Sequence, residues 1–267
     1  MKYTKWLLTL FALLVTGPAI GQAPSFTDSQ LDLLVSRITL YPDSLLAQVL
    51  AAATFSDQIP EAAQWADKHH NLNGQALAQA MRAQQLPWDP TVQALLPLPL
   101  VLKKITQDAN WTVKLGNAVL AQQGNVLDAA QRQRRLALKF GYLHTSGQVV
   151  VDPEPYVTIK PSNPAHMQIP SYDPEAVFAA PAADRKPGDK IHFDSAVNLG
   201  GFQPYGWTLE RSEVIGGYFF AWGWGRGGID WAARTLIINH VPWRRTWANQ
   251  SDYVHPYPDL QRVSSPQ

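Results

Sequence analysis

The sequence predicts an α+β fold: an N-terminal all-α multi-helix bundle, then a small β-hairpin unit, then an aromatic and glycine-rich region of strands and loops. Composition supports this division, because residues 24–140 are rich in Ala, Leu and Gln, whereas Pro, Gly, Tyr, Trp and β-branched residues dominate after Gly141. Apolar residues recur at helical spacing in the first part and in short extended runs in the second. We expect a helical domain at 24–145, a β-hairpin appendage at 146–178, a linker at 179–190 and the aromatic region at 191–267.

Capping and breaking residues divide the helical part into short helices. Thr27 and Gln30 form a capping box ahead of an apolar stripe that runs from Leu31 to Ile38. Prolines and Asn- or Gly-containing turns separate the helices that follow. We expect a second helix from Pro42 or Asp43 to Ala53, a third starting within 56–60 and ending at 70, a fourth at 75–85, a fifth after Trp88-Asp89-Pro90, and two more at 111–122 and 126–140, with a break at Gly124-Asn125.

Short extended runs separated by proline follow the helices, at residues 149–151, 156–160 and 167–170. The Pro-Ser-Asn-Pro sequence at 161–164 has the composition of a turn, so we predict that the second and third runs pair as a hairpin. Further strands are expected at 215–224 and 235–238.

The first 23 residues have the features of a cleavable secretory signal peptide. Lys2 and Lys5 precede an almost uninterrupted apolar run over residues 6–15, and small residues follow at Gly21 and Ala23. The apolar run is shorter than the roughly 20 residues that a membrane-spanning helix needs. We therefore expect cleavage after Ala23 and a mature protein in the bacterial periplasm or secreted, without a transmembrane span.

Charge and cysteine content narrow the classes of partner and site. The formal net charge of +1 provides no global attraction to nucleic acid. The chain has no cysteine, which excludes disulfides, thiol catalysis and cysteine-based zinc or haem sites. No two of the seven histidines are four residues apart on a predicted helix, and no zinc-protease pattern is present. We expect no nucleic-acid partner, no metal and no cofactor.

Several motifs, in order along the chain, resemble a known family. Residues 41–50, Tyr-Pro-Asp-Ser-Leu-Leu-Ala-Gln-Val-Leu, are similar to the signature opening of the bacterial domain of unknown function 3300 family. Further segments of this chain are similar to later motifs of the same family. They are Trp88-Asp89-Pro90 with Leu-Leu-Pro at 95–97, the helix at 126–135, and the strands at 159–164 and 169–174. The resemblance covers roughly 31–178 and implies an exported Gram-negative protein with a helical domain and a short β-appendage. It implies no activity and supplies no catalytic residues.

The aromatic segment is the most unusual part of the chain. In the Ala-Trp-Gly-Trp-Gly sequence at 221–225, a strand would place Trp222 and Trp224 on one face, with alanine and glycine on the other. Such rings suit carbohydrate faces, peptides or the membrane interface, and nearby arginines suit phosphates, lipid head groups or glycan carboxylates. Alternatively, the tryptophans pack a small β-core. The candidate binding residues are Trp222, Trp224, Arg226, Trp231, Trp243, Arg244, Arg245 and Trp247.

The function favoured by these patterns is that of an exported non-catalytic cell-envelope protein. Its helical domain would be a scaffold, and its aromatic C-terminal region would contact an envelope protein, a glycan or a lipid surface. No Gly-x-Ser-x-Gly motif, phosphate-binding loop or dinucleotide fingerprint is present. Two alternatives stay open: a periplasmic hydrolase that acts on peptidoglycan through carboxylates brought together by folding, and an envelope assembly or chaperone-like factor with exposed apolar grooves between helices.

Overall fold

The computed structural model describes residues 21–163, 166–181, 190–198 and 228–256. Within these residues, helices come first and short antiparallel strand pairs follow, which confirms the predicted α+β class. Most of the predicted signal peptide, most of the predicted linker, the predicted strand at 215–224, and the candidate binding residues Trp222, Trp224 and Arg226 lie outside the described residues.

The helices begin and end where capping residues and prolines stand in the sequence. They are α1 (Asp28–Val35), α2 (Asp43–Ala53), α3 (Ile59–Lys68), α4 (Gly74–Ala83), α5 (Pro90–Gln93), α6 (Pro99–Thr106), α7 (Ala109–Lys139) and α8 (Pro174–Val177). The predicted capping box is confirmed, since the Thr27 hydroxyl accepts from the Gln30 N–H at 3.3 Å and the Gln30 side chain accepts from the Thr27 N–H at 2.8 Å. The carboxylates of Asp89 and Asp108 cap α5 and α7 by accepting the backbone N–H groups of Thr91 and Trp111.

Helix α7 runs through the predicted break and is kinked instead at Gln122, where φ is −145° and ψ is 43°. The Gln122 side chain holds the backbone of Phe26, accepting from its N–H at 2.7 Å and donating to its carbonyl at 3.3 Å. The Leu120 carbonyl, just before the kink, accepts the backbone N–H of Trp247 at 2.8 Å. The kink thus joins both ends of the described chain to the middle of its longest helix.

The strands form small antiparallel sheets. They are β1 (Val149–Asp152), β2 (Thr158–Pro161), β3 (His166–Met167), β4 (Pro170–Tyr172), β5 (Ile191–Phe193), β6 (Val197–Asn198), β7 (Gly228–Asp230), β8 (Thr235–Ile238) and β9 (Val241–Pro242). Among the described strands, β1 pairs with β2, β3 with β6, β4 with β5, and β7, β8 and β9 form a three-stranded sheet.

The predicted hairpin between 156–160 and 167–170 is wrong. Strand β2 pairs with β1, in a register that places Val151 opposite Ile159, while β4 pairs with β5. The reason is burial: Val149 of β1 and Ile159 of β2 pack in one small core together with Val177. Pairing of β2 with its nearer neighbour along the chain would give up this shared apolar surface.

Two hydrophobic cores hold these elements together. The larger core is formed by the helices, and residues of the C-terminal region pack into it, among them Trp231, Leu236, Ile238 and Trp243. The smaller core lies between the end of α7 and the β1–β2 pair. Close packing of α2 and α7 depends on Gly116, because a Cβ there would lie 2.0 Å from the Ala53 carbonyl oxygen. None of the described helices combines the length and apolar character needed to cross a membrane.

Candidate functional site

The candidate binding residues that the structure describes occupy different environments. Trp231 and Trp243 are only 7% and 1% exposed, so their rings offer almost no face to a ligand. Arg244 is exposed, whereas Arg245 and Trp247 are half-buried. The two buried tryptophans pack into the larger core, as the packing alternative describes.

Trp243 is the centre of an aromatic cluster that joins the C-terminal segment to α2. Its ring meets Phe55 edge-on at 6.2 Å and Tyr253 edge-on at 5.5 Å between centroids, and it lies 4.9 Å from the His255 ring. Edge-on and tilted contacts of this kind are the favourable arrangements for aromatic pairs. The cluster therefore contributes packing energy and has a defined geometry.

Hydrogen bonds orient the His255 ring and place a proton on Nε2, and in the neutral ring Nδ1 is then the acceptor. Nε2 lies 2.9 Å from the Ile238 carbonyl oxygen, which only accepts, so Nε2 carries the proton and donates it. Nδ1 then accepts from the Tyr253 hydroxyl at 2.8 Å, and that hydroxyl accepts from the Arg244 backbone N–H at 3.1 Å. Burial lowers the pKa of the His255 imidazole, which is consistent with a neutral ring.

Arg245 and Trp247 anchor the C-terminal segment to the helices. The Arg245 guanidinium lies 3.7 Å from the Phe55 ring centroid, donates to the Gln250 carbonyl at 3.0 Å, and also donates to the Thr54 carbonyl. Burial lowers the pKa of Arg245. The Trp247 indole N–H donates to the Gly21 carbonyl at 2.8 Å. Arg245 thus contacts the end of α2, whereas the Trp247 indole contacts the predicted leader and would lose this bond in a chain that begins at Pro24.

A fully buried arginine lies at the junction of α2, α7 and β2. Arg134 is 0% exposed, and its donors reach the carbonyls of Thr39 and Tyr41 at 2.8 Å each and that of Val157 at 2.9 Å. Its Nη1 also donates to Asp43 Oδ1 at 2.5 Å. A buried guanidinium is tolerated because its N–H groups meet acceptors and its charge meets a carboxylate.

Asp43 extends this network to the C-terminal region. Its Oδ2 accepts the Trp231 indole N–H at 2.9 Å, and its Oδ1 accepts the Ile159 backbone N–H at 3.2 Å. The Arg134 guanidinium lies 4.9 Å from the Trp231 ring centroid. Asp43, Arg134 and Trp231 thus form a junction between α2, α7 and the C-terminal region, and their contacts within the described residues are structural. The sequence patterns missed Arg134, although it lies inside the 126–135 motif.

A second polar cluster contains Lys104, Tyr41 and Tyr172. The Lys104 ammonium lies 5.6 Å from the Tyr41 ring centroid and 5.3 Å from that of Tyr172, within the range of cation–π attraction. The Tyr172 hydroxyl donates to the Ser36 carbonyl at 2.8 Å and accepts from the Leu40 N–H at 3.3 Å. Burial lowers the pKa of Lys104 and raises the pKa of both tyrosines.

A groove of about 450 Å³, lined by both apolar and polar side chains, opens between α1 and the start of α7, and we call it the α1–α7 groove. Leu34 and Trp111 are buried beneath it, whereas Leu33 at its edge is 74% exposed. Arg37 lies beside it, 5.3 Å from the Trp111 ring centroid, and pairs with Asp108 at 3.0 Å. The backbone N–H of Trp111, and then Arg37, lower the pKa of the Asp108 carboxyl. Lys114 completes the rim.

A second groove, of about 460 Å³, lies beside β5, and we call it the β5 groove. It is bounded by the loop after α7, the start of β1, and β5 itself. One half of its lining is apolar or aromatic, and these residues are Leu40, Tyr142, Leu143, Val149, Ile191 and Phe193. The other half is polar and contains two glutamines, two histidines, a serine and a lysine.

In the part of the chain that the structure describes, no three His, Cys, Asp or Glu side chains come close enough together to hold a metal ion. Asp108, at the edge of the α1–α7 groove, accepts hydrogen bonds that favour its ionised form. This arrangement is the opposite of the raised pKa that a general acid needs. Asp108 is therefore not arranged as a general acid.

Comparison with known proteins finds one family model and one similar bacterial protein. Residues 27–260 match the model of the family described as "Protein of unknown function (DUF3300)". The chain is also 31% identical over 209 residues to the "Uncharacterized protein YacH" of Escherichia coli strain K12, a match that covers 62% of this chain and 34% of that protein. The chain thus spans about a third of the length of this relative. No solved structure matches it significantly. Because the family model spans most of the sequence, the chain belongs to the DUF3300 family, and the resemblance seen in its motifs is confirmed.

Proposed function

We propose that this protein is an exported, non-catalytic binding protein of the bacterial cell envelope, and that it holds a segment of an envelope protein in the α1–α7 groove. One observation carries the proposal: Leu33 is 74% exposed at a groove whose apolar part is formed with Phe26, Leu34 and Trp111. An exposed leucine next to a concave apolar surface is the arrangement expected where a partner's side chain covers both.

The charges around the groove favour a partner segment that carries a carboxylate beside its apolar side chain. Arg37 and Lys114 are cationic and Asp108 is anionic, but Asp108 is already paired with Arg37. Lys114 forms no salt bridge with a described carboxylate, although its charge helps to lower the pKa of Asp108, so its ammonium can still pair with a partner's carboxylate. Complementary charges at the edge of an apolar contact increase the association rate and set the orientation of the partner.

The aromatic C-terminal region is a second contact surface in this proposal. The sequence patterns assign this contact to Trp222, Trp224 and Arg226, which lie outside the described residues, and to Arg244, which is exposed. A two-surface contact would hold a partner more tightly than either surface alone, because the second contact forms within the complex.

The export half of the proposal is supported by the first residues of the chain and by the contacts that follow them. Phe26 is held by Gln122, so cleavage after Ala23 would leave this clamp in place. The test is mass spectrometry of the native protein from fractionated cells. We expect a periplasmic or secreted chain that begins at Pro24; an intact chain in the cytosol would overturn the proposed location.

The binding half is tested with a photo-crosslinking amino acid placed at Leu33 in the native bacterium. We expect a crosslinked envelope protein that disappears when Lys114 is also changed to Glu. The matched control is the same crosslinker at Leu100, which is 47% exposed on α6 outside this groove. Equal crosslinking at the two positions, or none at Leu33, would contradict the proposal.

An assembly or chaperone-like function is the second candidate, because it also requires an exposed apolar groove between helices. The two candidates differ in selectivity. A chaperone-like protein would suppress aggregation of unrelated unfolded proteins, and Leu33→Asp would abolish this effect, since a charge is costly to bury against apolar surface. A dedicated binding protein would show no such general effect and would crosslink to one partner.

A further inference from the structure

The β5 groove has a lining chemistry different from that of the α1–α7 groove. Its polar side chains are His144, Ser146, Gln148, Gln168, Lys190 and His192. They include one lysine and no carboxylate. They face an apolar and aromatic half that includes Leu143 and Phe193. A groove that is half apolar and half neutral-polar is suited to a ligand that has both characters itself.

The hydrogen-bonding groups of this groove are available to a ligand. Within the described chain, the side chains of Gln148, Gln168, His144 and His192 form no hydrogen bond to another residue. The Ser146 hydroxyl oxygen accepts the backbone N–H groups of Gln148 at 3.2 Å and Val149 at 3.4 Å, which fixes its position and leaves its proton free to donate. Lys190 forms no ion pair with a described carboxylate.

From these observations, we propose that the β5 groove binds a short glycan of N-acetylated amino sugars that carries one carboxylate. Amide side chains such as those of Gln148 and Gln168 can pair with acetamido and hydroxyl groups, since they both donate and accept. The apolar half can cover the methyl group and the C–H face of a sugar ring. Lys190 is placed to pair with the single acid. The volume of about 460 Å³ lies in the range typical of small-ligand sites.

Other ligand classes fit this groove less well. A nucleotide or nucleic acid carries several phosphates, and the lining offers one formal cation. An acyl chain needs a continuous apolar surface, whereas polar side chains form half of the lining. The source of the glycan rests on the proposed envelope location, because acidic amino-sugar glycans are accessible to an exported protein. The binding itself does not depend on that location.

To test this inference, the purified chain from Pro24 onward is titrated with three disaccharides. Binding is measured by isothermal titration calorimetry and by NMR of the labelled protein. The acidic probe is the disaccharide of N-acetylglucosamine and N-acetylmuramic acid. The neutral probe is diacetylchitobiose, and maltose serves as a probe without acetamido groups. We expect the acidic probe to bind best, with a Kd at or below about 1 mM, and maltose not to bind.

Substitutions then locate the site. We expect Gln148→Ala and Gln168→Ala each to weaken binding of the acidic probe about fivefold, as the loss of one hydrogen bond does. Lys190→Gln should reduce the preference for the acidic over the neutral probe by up to about fivefold, the range of an exposed ion pair. Lys160→Gln, an exposed lysine on β2 that does not line the groove, is the matched control and should leave that preference unchanged.

Two results would overturn the inference. One is the absence of chemical-shift changes at millimolar acidic disaccharide in the folded wild-type protein. The other is a set of shift changes that maps outside the β5 groove and is unaffected by both glutamine variants. The Leu33→Asp variant should bind the glycan like wild type. Failure of the partner-binding proposal and failure of the glycan inference can therefore be told apart.

Discussion

The Arg134 guanidinium donates to Asp43 at 2.5 Å in the interior of the protein, and the two residues are 91 positions apart in the sequence. Asp43 also accepts the Trp231 indole N–H, so one carboxylate joins α2, α7 and the C-terminal region. Two motifs that are separate in the sequence are therefore parts of one buried junction.

Arg134→Met is expected to destabilise the protein strongly. It leaves the Asp43 carboxylate without its cation and the carbonyl oxygens of Thr39 and Tyr41 without the donors that Arg134 supplies. Breaking one partner of a buried pair costs about 3–5 kcal/mol. The measurement is the free energy of unfolding from urea denaturation monitored by circular dichroism. The control is Arg135→Met, an exposed neighbour on the same helix, which should change stability little. A loss for Arg134→Met no larger than that for Arg135→Met would show that the junction is not a determinant of stability.

Gly116→Ala should separate α2 from α7. The new Cβ would lie 2.0 Å from the Ala53 carbonyl oxygen, which is backbone and cannot move aside alone. We expect a loss of at least about 1–3 kcal/mol, the range for overpacking a core. Gly124→Ala on the same helix is the control, because its Cβ would meet only the end of the Arg234 side chain at 3.2 Å. Removing a helical glycine there should be neutral or stabilising by up to about 1 kcal/mol. Similar thermal unfolding midpoints for the two variants would contradict this account.

Sequence reasoning succeeded where local chemistry decides the structure. The capping box of Thr27 and Gln30 and the helix starts near Asp43 and Pro90 depend on residues within one turn of each other. The kink in α7 was misplaced because it depends on a distant contact: Gln122 holds Phe26, 96 positions away. A sequence window around Gly124 does not contain that information.

The candidate site illustrates the same limit. Tryptophan suits both a core and a ligand surface, so composition alone could not separate Trp243, which is buried, from Trp247, which is half-exposed. Both grooves were missed because their linings combine residues from distant parts of the chain, such as Leu40 and Phe193 in the β5 groove. The available signal was weak: Leu33 is an apolar residue beside the predicted buried stripe of the first helix.

Trp243→Ala should destabilise the protein much more than Trp247→Ala. Trp243 is almost fully buried between Phe55, Tyr253 and His255, and removing such a side chain from a core costs about 3–5 kcal/mol. Trp247 is half-buried, and the one hydrogen bond of its ring goes to the Gly21 carbonyl, which a chain beginning at Pro24 lacks. Calorimetric melting of both variants checks the order. A larger loss for Trp247→Ala would mean that the C-terminal segment is held by its end and not by the aromatic cluster.

The buried histidine predicts a pH dependence of stability. Because burial lowers the pKa of His255 in the folded state, protonation favours the unfolded chain, in which the pKa is near its ordinary value of 6.5. The contribution of His255 to stability is therefore complete above that value and is lost as the pH falls below it. The unfolding free energy of wild type, measured between pH 7.5 and pH 5, should fall more steeply than that of His255→Gln, whose amide can still donate to Ile238 and does not titrate. The exposed His240, changed to Gln, is the control and should keep the wild-type slope. Equal slopes for His255→Gln and wild type would show that the imidazole is protonated as readily in the folded protein as in the unfolded chain. That result would contradict the lowered pKa of His255.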